Sequence, residues 1–83
     1  MRRRPSRLFG LSTKQPWLLE QFRYKELMAL AVAFTTQCPY CIEVHAKKAR
    51  EADASEQEIA EVVAVAAALR AGAAITHGTH AFT

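Results

Sequence analysis

The sequence predicts an all-α protein. The stretch from Cys38 to Ala52 separates polar and apolar residues onto two faces at helical spacing. Ser55-Glu56-Gln57-Glu58 is a capping box ahead of a long apolar run. No strand pattern or internal repeat appears. The helices before and after Gln37 are expected to form an antiparallel hairpin that carries C-x-x-C at a helix N-terminus.

Residues 1–15 read as a weakly ordered tail, with Arg2, Arg3, Arg4 and Arg7 making it basic and Pro5 set against helix. A phosphate- or membrane-binding arm is the alternative. Pro16 is placed to open a short helix carrying Trp17, Leu18, Leu19 and Phe22. Trp17 and Phe22, large for a chain this short, are expected on the core or on a neighbouring subunit. A second helix is expected from Lys25 to Gln37, apolar nearly all round through Leu27, Met28, Leu30, Ala31, Val32, Ala33 and Phe34. A helix of that kind is buried on every side, which one short chain can hardly achieve alone. Glu26 is its only acid and falls at its expected start, where the helix dipole favours a carboxylate.

The next helix runs from about Pro39 to Ala52. Pro39 suits the first helical position, because its fixed φ fits and no N–H is needed there. Cys38 then lies at or beside the N-cap, where free N–H groups favour a thiolate. Cys38, Cys41, Ile42, His45, Ala46, Ala49 and Ala52 share one face; Glu43, Lys47, Arg50 and Glu51 share the other. The last helix is expected from about Glu56 to His77, with Arg70 the one charge between Val62 and Ile75 and Gly78 as its stop.

A chain of 83 residues is one domain with a marginal core, and a disulfide across C-x-x-C closes almost no loop. Association between copies is the expected staple. The net charge of +3 rests largely on the arginine tail, so no nucleic-acid face is expected. No apolar run reaches membrane-spanning length without a charge, and Met1 leads into no secretory segment. The expected compartment is the cytoplasm, with no membrane partner. There a paired C-x-x-C is more often catalytic or metal-binding than structural.

Thiol chemistry needs a thiolate, a second thiol to resolve the product, and a base. Cys41 and Cys38 can supply the thiols, and His45, one turn beyond Cys41, the base. A carboxylate steadies such a histidine. With the turn centred near Gln37, His45 lies beside residue 28 or 29, so Glu26 is about one helical turn away at ~1.5 Å per residue. A carboxylate from another subunit is the alternative.

Glu26, eleven residues, then Cys38-x-x-Cys41-x-x-x-His45 resembles the active-site pattern of the AhpD-like alkylhydroperoxidases, in the carboxymuconolactone decarboxylase superfamily. Lys25–Val32, Ser55–Ile59 and the Ala-rich helix ending His77-Gly78 are similar too. The likeness covers Lys25 to Phe82, giving a tail and short helix over 1–24 and an AhpD-like domain over 25–82. It implies a helical subunit assembling from dimers or trimers, with a hexamer as a further state. It implies peroxide reduction without a cofactor. Cys41 becomes a sulfenic acid, Cys38 resolves it, and Glu26 and His45 relay protons. A lipoyl-carrying or thioredoxin-like protein restores the dithiol.

One position departs from the pattern. AhpD enzymes carry a histidine directly before the second cysteine, and here that residue is Tyr40, a poor proton carrier near neutral pH. Full peroxidase strength is therefore not implied. Lactone decarboxylation fits less well, since those enzymes generally lack the cysteine pair. Two further readings compete: a non-catalytic oligomeric scaffold with a relic motif, and a zinc site made by Cys38, Cys41, His45 and one of His77 or His80.

Overall fold

The computed structural model describes residues 16–83, and the expected basic tail lies outside the described residues. Three helices follow in order: α1 (Pro16–Thr36), α2 (Pro39–Glu51) and α3 (Glu56–Gly78), with a short 3-10 turn over Thr79–Phe82. The described residues contain no strand, so the fold class is all-α. α1 is the central element, and both α2 and α3 pack on it.

The two helices expected on either side of Lys25 are one. Nothing between Trp17 and Thr36 breaks a helix: no glycine, no proline and no capping residue. Leu19, Arg23, Leu30 and Ala33 are buried and Glu26 is half-buried, so the inward stripe steps by four, three, four and three residues. Glu26 therefore sits mid-helix, and the helix-start reading of its carboxylate is corrected. Leu30 is the largest fully buried side chain. Burial on that scale contributes about 1.5–3 kcal/mol. Trp17 is 58% exposed and Phe22 is half-buried.

Two turns of the same kind end α1 and α2. After α1, Gln37 takes a left-handed φ of 59°, and the Cys38 N–H bonds back to the Ala33 carbonyl at 3.2 Å. After α2, Asp53 has φ 72°, with Asp53 N–H to Arg50 O at 3.0 Å and Ala54 N–H to Ala49 O at 2.9 Å. This is the Schellman arrangement, usually built on glycine. Ala49 and Ala54 are both buried at the second turn, giving the apolar contact that accompanies it.

Ser55 caps α3 as its sequence predicts. Its Oγ accepts the Glu58 N–H at 3.0 Å, and Glu58 Oε1 accepts the Ser55 N–H at 2.9 Å. Arg50 crosses from α2 to grip Glu56 with two nitrogens, at 2.6 and 3.0 Å. Gly78 does not stop the chain with a left-handed turn; its φ is −64°, and a 3-10 turn continues. Ala66 is buried, but every residue from Ala67 to Thr83 is exposed. By length and composition alone the segment Glu56–Phe82 is apolar enough to cross a membrane, a test that the core helix of a soluble protein also passes.

Candidate active site

The turn after α1 delivers the first cysteine. Cys38 has an extended backbone, φ −98° and ψ 101°, and is the N-cap of α2, with Pro39 at the start of the helix. Its Sγ accepts the Cys41 backbone N–H at 3.3 Å. A sulfur here does the work an oxygen does at most caps. Both cysteines are free thiols and half-buried.

The inward face of α2 is the one expected. Ala49 and Ala52 are buried, Cys38, Cys41, Ile42, His45 and Ala46 are half-buried, and Glu43, Lys47, Arg50 and Glu51 are exposed. The two-residue connection sends α2 back along α1, so His45 meets Glu26. Nδ1 of His45 lies 2.6 Å from Oε1 of Glu26, and both side chains are largely covered. An ionised carboxylate only accepts, so in a hydrogen bond to such a group Nδ1 is the donor. Cys41 precedes His45 by four residues, which places their Cβ atoms about 5–6 Å apart on one helix face.

The two sulfurs are electrostatically unlike. A hydrogen bond from the Cys41 thiol, and then the Cys41 backbone N–H, hold Cys38 below the ordinary thiol range, with burial opposing. The same thiol hydrogen bond, then burial, then the Cys38 charge push Cys41 above it. The resemblance gives the attacking role to Cys41 and the resolving role to Cys38.

A model of the carboxymuconolactone decarboxylase family matches residues 21–83. The chain belongs to that family. The superfamily includes the AhpD-like proteins whose pattern the Glu26, Cys38, Cys41 and His45 spacing resembles. The chain is also 52% identical over 59 residues to "Uncharacterized protein 4 in cox locus" of Paracoccus denitrificans, an alignment covering 71% of this chain and 53% of that protein. It thus spans about half the length of that relative. No solved structure gives a significant match.

Within this family member, Tyr40 stands where AhpD enzymes carry their motif histidine, and it is 75% exposed. It points to solvent while His45 turns inward. His77 and His80 pair with each other, ring centroids 5.1 Å apart, at the far end of α3. Among the described residues no three His, Cys, Asp or Glu side chains gather as a metal-holding group, so the suggested zinc set is not brought together.

Two arginines near the site carry roles that spacing alone did not reveal. Arg23 is buried one turn before Glu26, 3.8 Å from Glu20 and 3.9 Å from Glu58, with Tyr24's ring 5.0 Å away. Its Nε and Nη1 have no hydrogen-bond partner among the described residues. The signal was its place on the inward stripe of a helix longer than the one expected. Arg70 donates from α3 to the Thr35 carbonyl, three residues before Cys38. Its signal was being the single charge in an apolar run.

Proposed function

We propose that this protein is a dithiol oxidoreductase that reduces peroxides through Cys38 and Cys41. The observation that carries the reading is the joint placement of a hydrogen-bonded dithiol at the head of α2 and a Glu26–His45 contact of 2.6 Å one turn away. One sulfur attacks the O–O bond and becomes a sulfenic acid. The other displaces hydroxide from it, closing a disulfide. The resemblance assigns the attack to Cys41 and the resolving step to Cys38. The Glu26–His45 pair moves protons in and out of this cycle. A lipoyl-carrying or thioredoxin-like dithiol then reduces the disulfide.

The working form in this reading is a homo-oligomer, built from dimers or trimers with a hexamer as a further state, and soluble in the cytoplasm. Support comes from the exposed apolar residues Met28, Val32, Val65, Leu69 and Ile75, which a lone chain leaves in water.

The test is consumption of hydrogen peroxide and of an alkyl hydroperoxide with dihydrolipoamide as electron donor. The expected result is turnover that is lost in Cys38→Ser and in Cys41→Ser. Peroxide consumption at the same rate without either cysteine would overturn the reading. No consumption by the intact, fully reduced protein would return the chain to a scaffold with a relic motif.

A further inference from the structure

We infer that Arg70 is a positioning residue for the dithiol: reaching across from α3, it holds the last turn of α1 and so sets the connection that presents Cys38. The inference rests on the dithiol reading above and adds to it a residue from a third helix.

α3 runs parallel to α1 and is tied to it by an arginine at each end. Arg23 of α1 lies 3.9 Å from Glu58 of α3, and Arg70 of α3 donates to the Thr35 carbonyl of α1. Thirty-five residues separate the partners in each pair, so the two contacts describe one register. Between them lies an apolar groove shared by Leu27 and Ala31 of α1 with Val62 and Val65 of α3. α1 ends at Thr36, so Arg70 stands on the last part of α3 that has α1 alongside.

The end of α1 needs what Arg70 brings. The final carbonyls of a helix have no N–H of their own helix to accept, and they form the negative end of its dipole. The last turn of α1 holds no basic residue. Its Ala33 carbonyl takes the Cys38 N–H at 3.2 Å and the Thr36 hydroxyl at 3.4 Å. Its Thr35 carbonyl takes the guanidinium. Arg70 is the single charge between Val62 and Ile75, so the cation of that apolar run falls level with the end of α1.

Only Thr36 and Gln37 separate Thr35 from Cys38. Gln37 has a left-handed φ of 59°, which a residue with a side chain disfavours. Such a conformation persists where the structure on both sides of it is held. On one side Cys38 takes the extended backbone of an N-cap, and its Sγ accepts the Cys41 N–H at 3.3 Å. On the other side stands the Arg70–Thr35 contact. Three residues of chain span at most ~11 Å, so the guanidinium also brings its charge to a distance on the order of 10 Å from Cys38. That is about one Debye length at 0.1 M salt, so its field is weakened there but not lost. A cation so placed favours the dithiol, which can ionise, over the disulfide, which cannot.

The experiment equilibrates the full chain at pH 7.5 with defined ratios of reduced to oxidised glutathione, extended with dithiothreitol. Free thiols are counted by mass after quenching with a maleimide, and thermal midpoints are recorded alongside. In the exchange the protein disulfide gains two electrons and two protons, and the reductant's thiols give them up and close to a disulfide. No peroxide takes part, so the result does not depend on peroxidase activity. Arg70→Gln is expected to lower the equilibrium constant for reducing the Cys38–Cys41 disulfide by roughly two- to tenfold, the range for one unit charge at about 10 Å near a protein surface. Arg70→Glu should lower it further. Arg70→Lys should stay within about twofold of the parent, because it restores both the charge and a donor. Arg50→Gln is the control. It removes an exposed arginine that also ties two elements, through Glu56, but about three turns along α2 from Cys38. Its equilibrium should match the parent's. An Arg70→Gln variant that loses thermal stability yet keeps the parent's equilibrium overturns the inference, since Arg70 is then only a clasp between helices. So does a shift in Arg50→Gln as large as that in Arg70→Gln. A parent that forms no disulfide at any ratio overturns the dithiol reading itself, and the inference with it.

Discussion

His45 and Glu26 are nineteen residues apart and meet at 2.6 Å, with both side chains largely covered. In the proposed cycle the carboxylate holds the hydrogen on Nδ1 and the ring exchanges protons through its other nitrogen. Glu26→Gln keeps the size of the side chain but removes its charge, and its amide can present a donor to Nδ1, which favours the wrong tautomer. The expected outcome is a drop of about 10²-fold or more in the rate of peroxide-driven disulfide formation for Glu26→Gln and for His45→Ala, the scale of one acid–base group. The double variant should be little worse than His45→Ala, because the carboxylate acts only through the ring. Stopped-flow measurement from pH 5 to 9 is the check. A Glu26→Gln variant with the parent's rates and pH profile would return Glu26 to a packing role. Arg23 belongs to this scale too. It was invisible to the reading of motifs because its meaning comes from burial, and burial followed from a helix that runs on past Lys25.

The elements show why some of the fold was legible and some was not. The α2 and α3 starts were written in local chemistry: Pro39 after Cys38, and Ser55 with Glu58, each satisfy N–H groups within their own first turn. The join of two expected helices into α1 was missed because Pro16 marks a start while nothing near Lys25 marks a stop. The end of α3 falls within one residue of its expected place, but not as a left-handed stop, since Gly78 permits such a turn without compelling one. The Glu26–His45 contact was foreseen from register alone, which works when only Gln37 and Cys38 separate two helices. The conformation of Gln37 was beyond sequence reading, because glutamine does not favour φ of 59°. A left-handed conformation costs a side-chain-bearing residue roughly 1–2 kcal/mol. Glycine avoids that cost but loses more entropy on folding, by roughly 0.5–1 kcal/mol. Gln37→Gly is therefore expected to stabilise the fold by about 0.5–1 kcal/mol, read as a higher urea midpoint with an unchanged slope. A lower midpoint would show that the Gln37 side chain contributes something that its backbone geometry does not reveal.

At the scale of the molecule, the chain buries too little of what it could bury. The interior gathers around Leu19, Leu30, Ala33, Ala49, Ala52, Ala54 and Ala66, most of them alanines. Val63, Val65, Leu69 and Ile75 of α3 stay at least 46% exposed, and Leu27, Met28, Ala31, Glu61, Val62 and Val65 line an open groove of about 230 Å³ between α1 and α3. In the oligomeric reading proposed above, copies of the chain cover those faces. A charge at the centre of such a contact has no partner and must be stripped of water. Leu69, 65% exposed on the outer part of α3, is the position that separates the possibilities. Leu69→Lys is expected to lower the mass seen by light scattering at micromolar concentration toward that of one chain. The weakening should be roughly 30-fold or more, since a central contact is worth on the order of 2 kcal/mol. Its thermal midpoint should fall as well and become less dependent on protein concentration, because association no longer draws the chain toward the folded state. Lys47→Glu, on the exposed face of α2, serves as the control and should leave the mass unchanged. A parent protein that is already monomeric under these conditions defeats the assembly argument. So does a Leu69→Lys variant with the parent's mass, which would mean that α3 meets some other surface than a second copy of this chain.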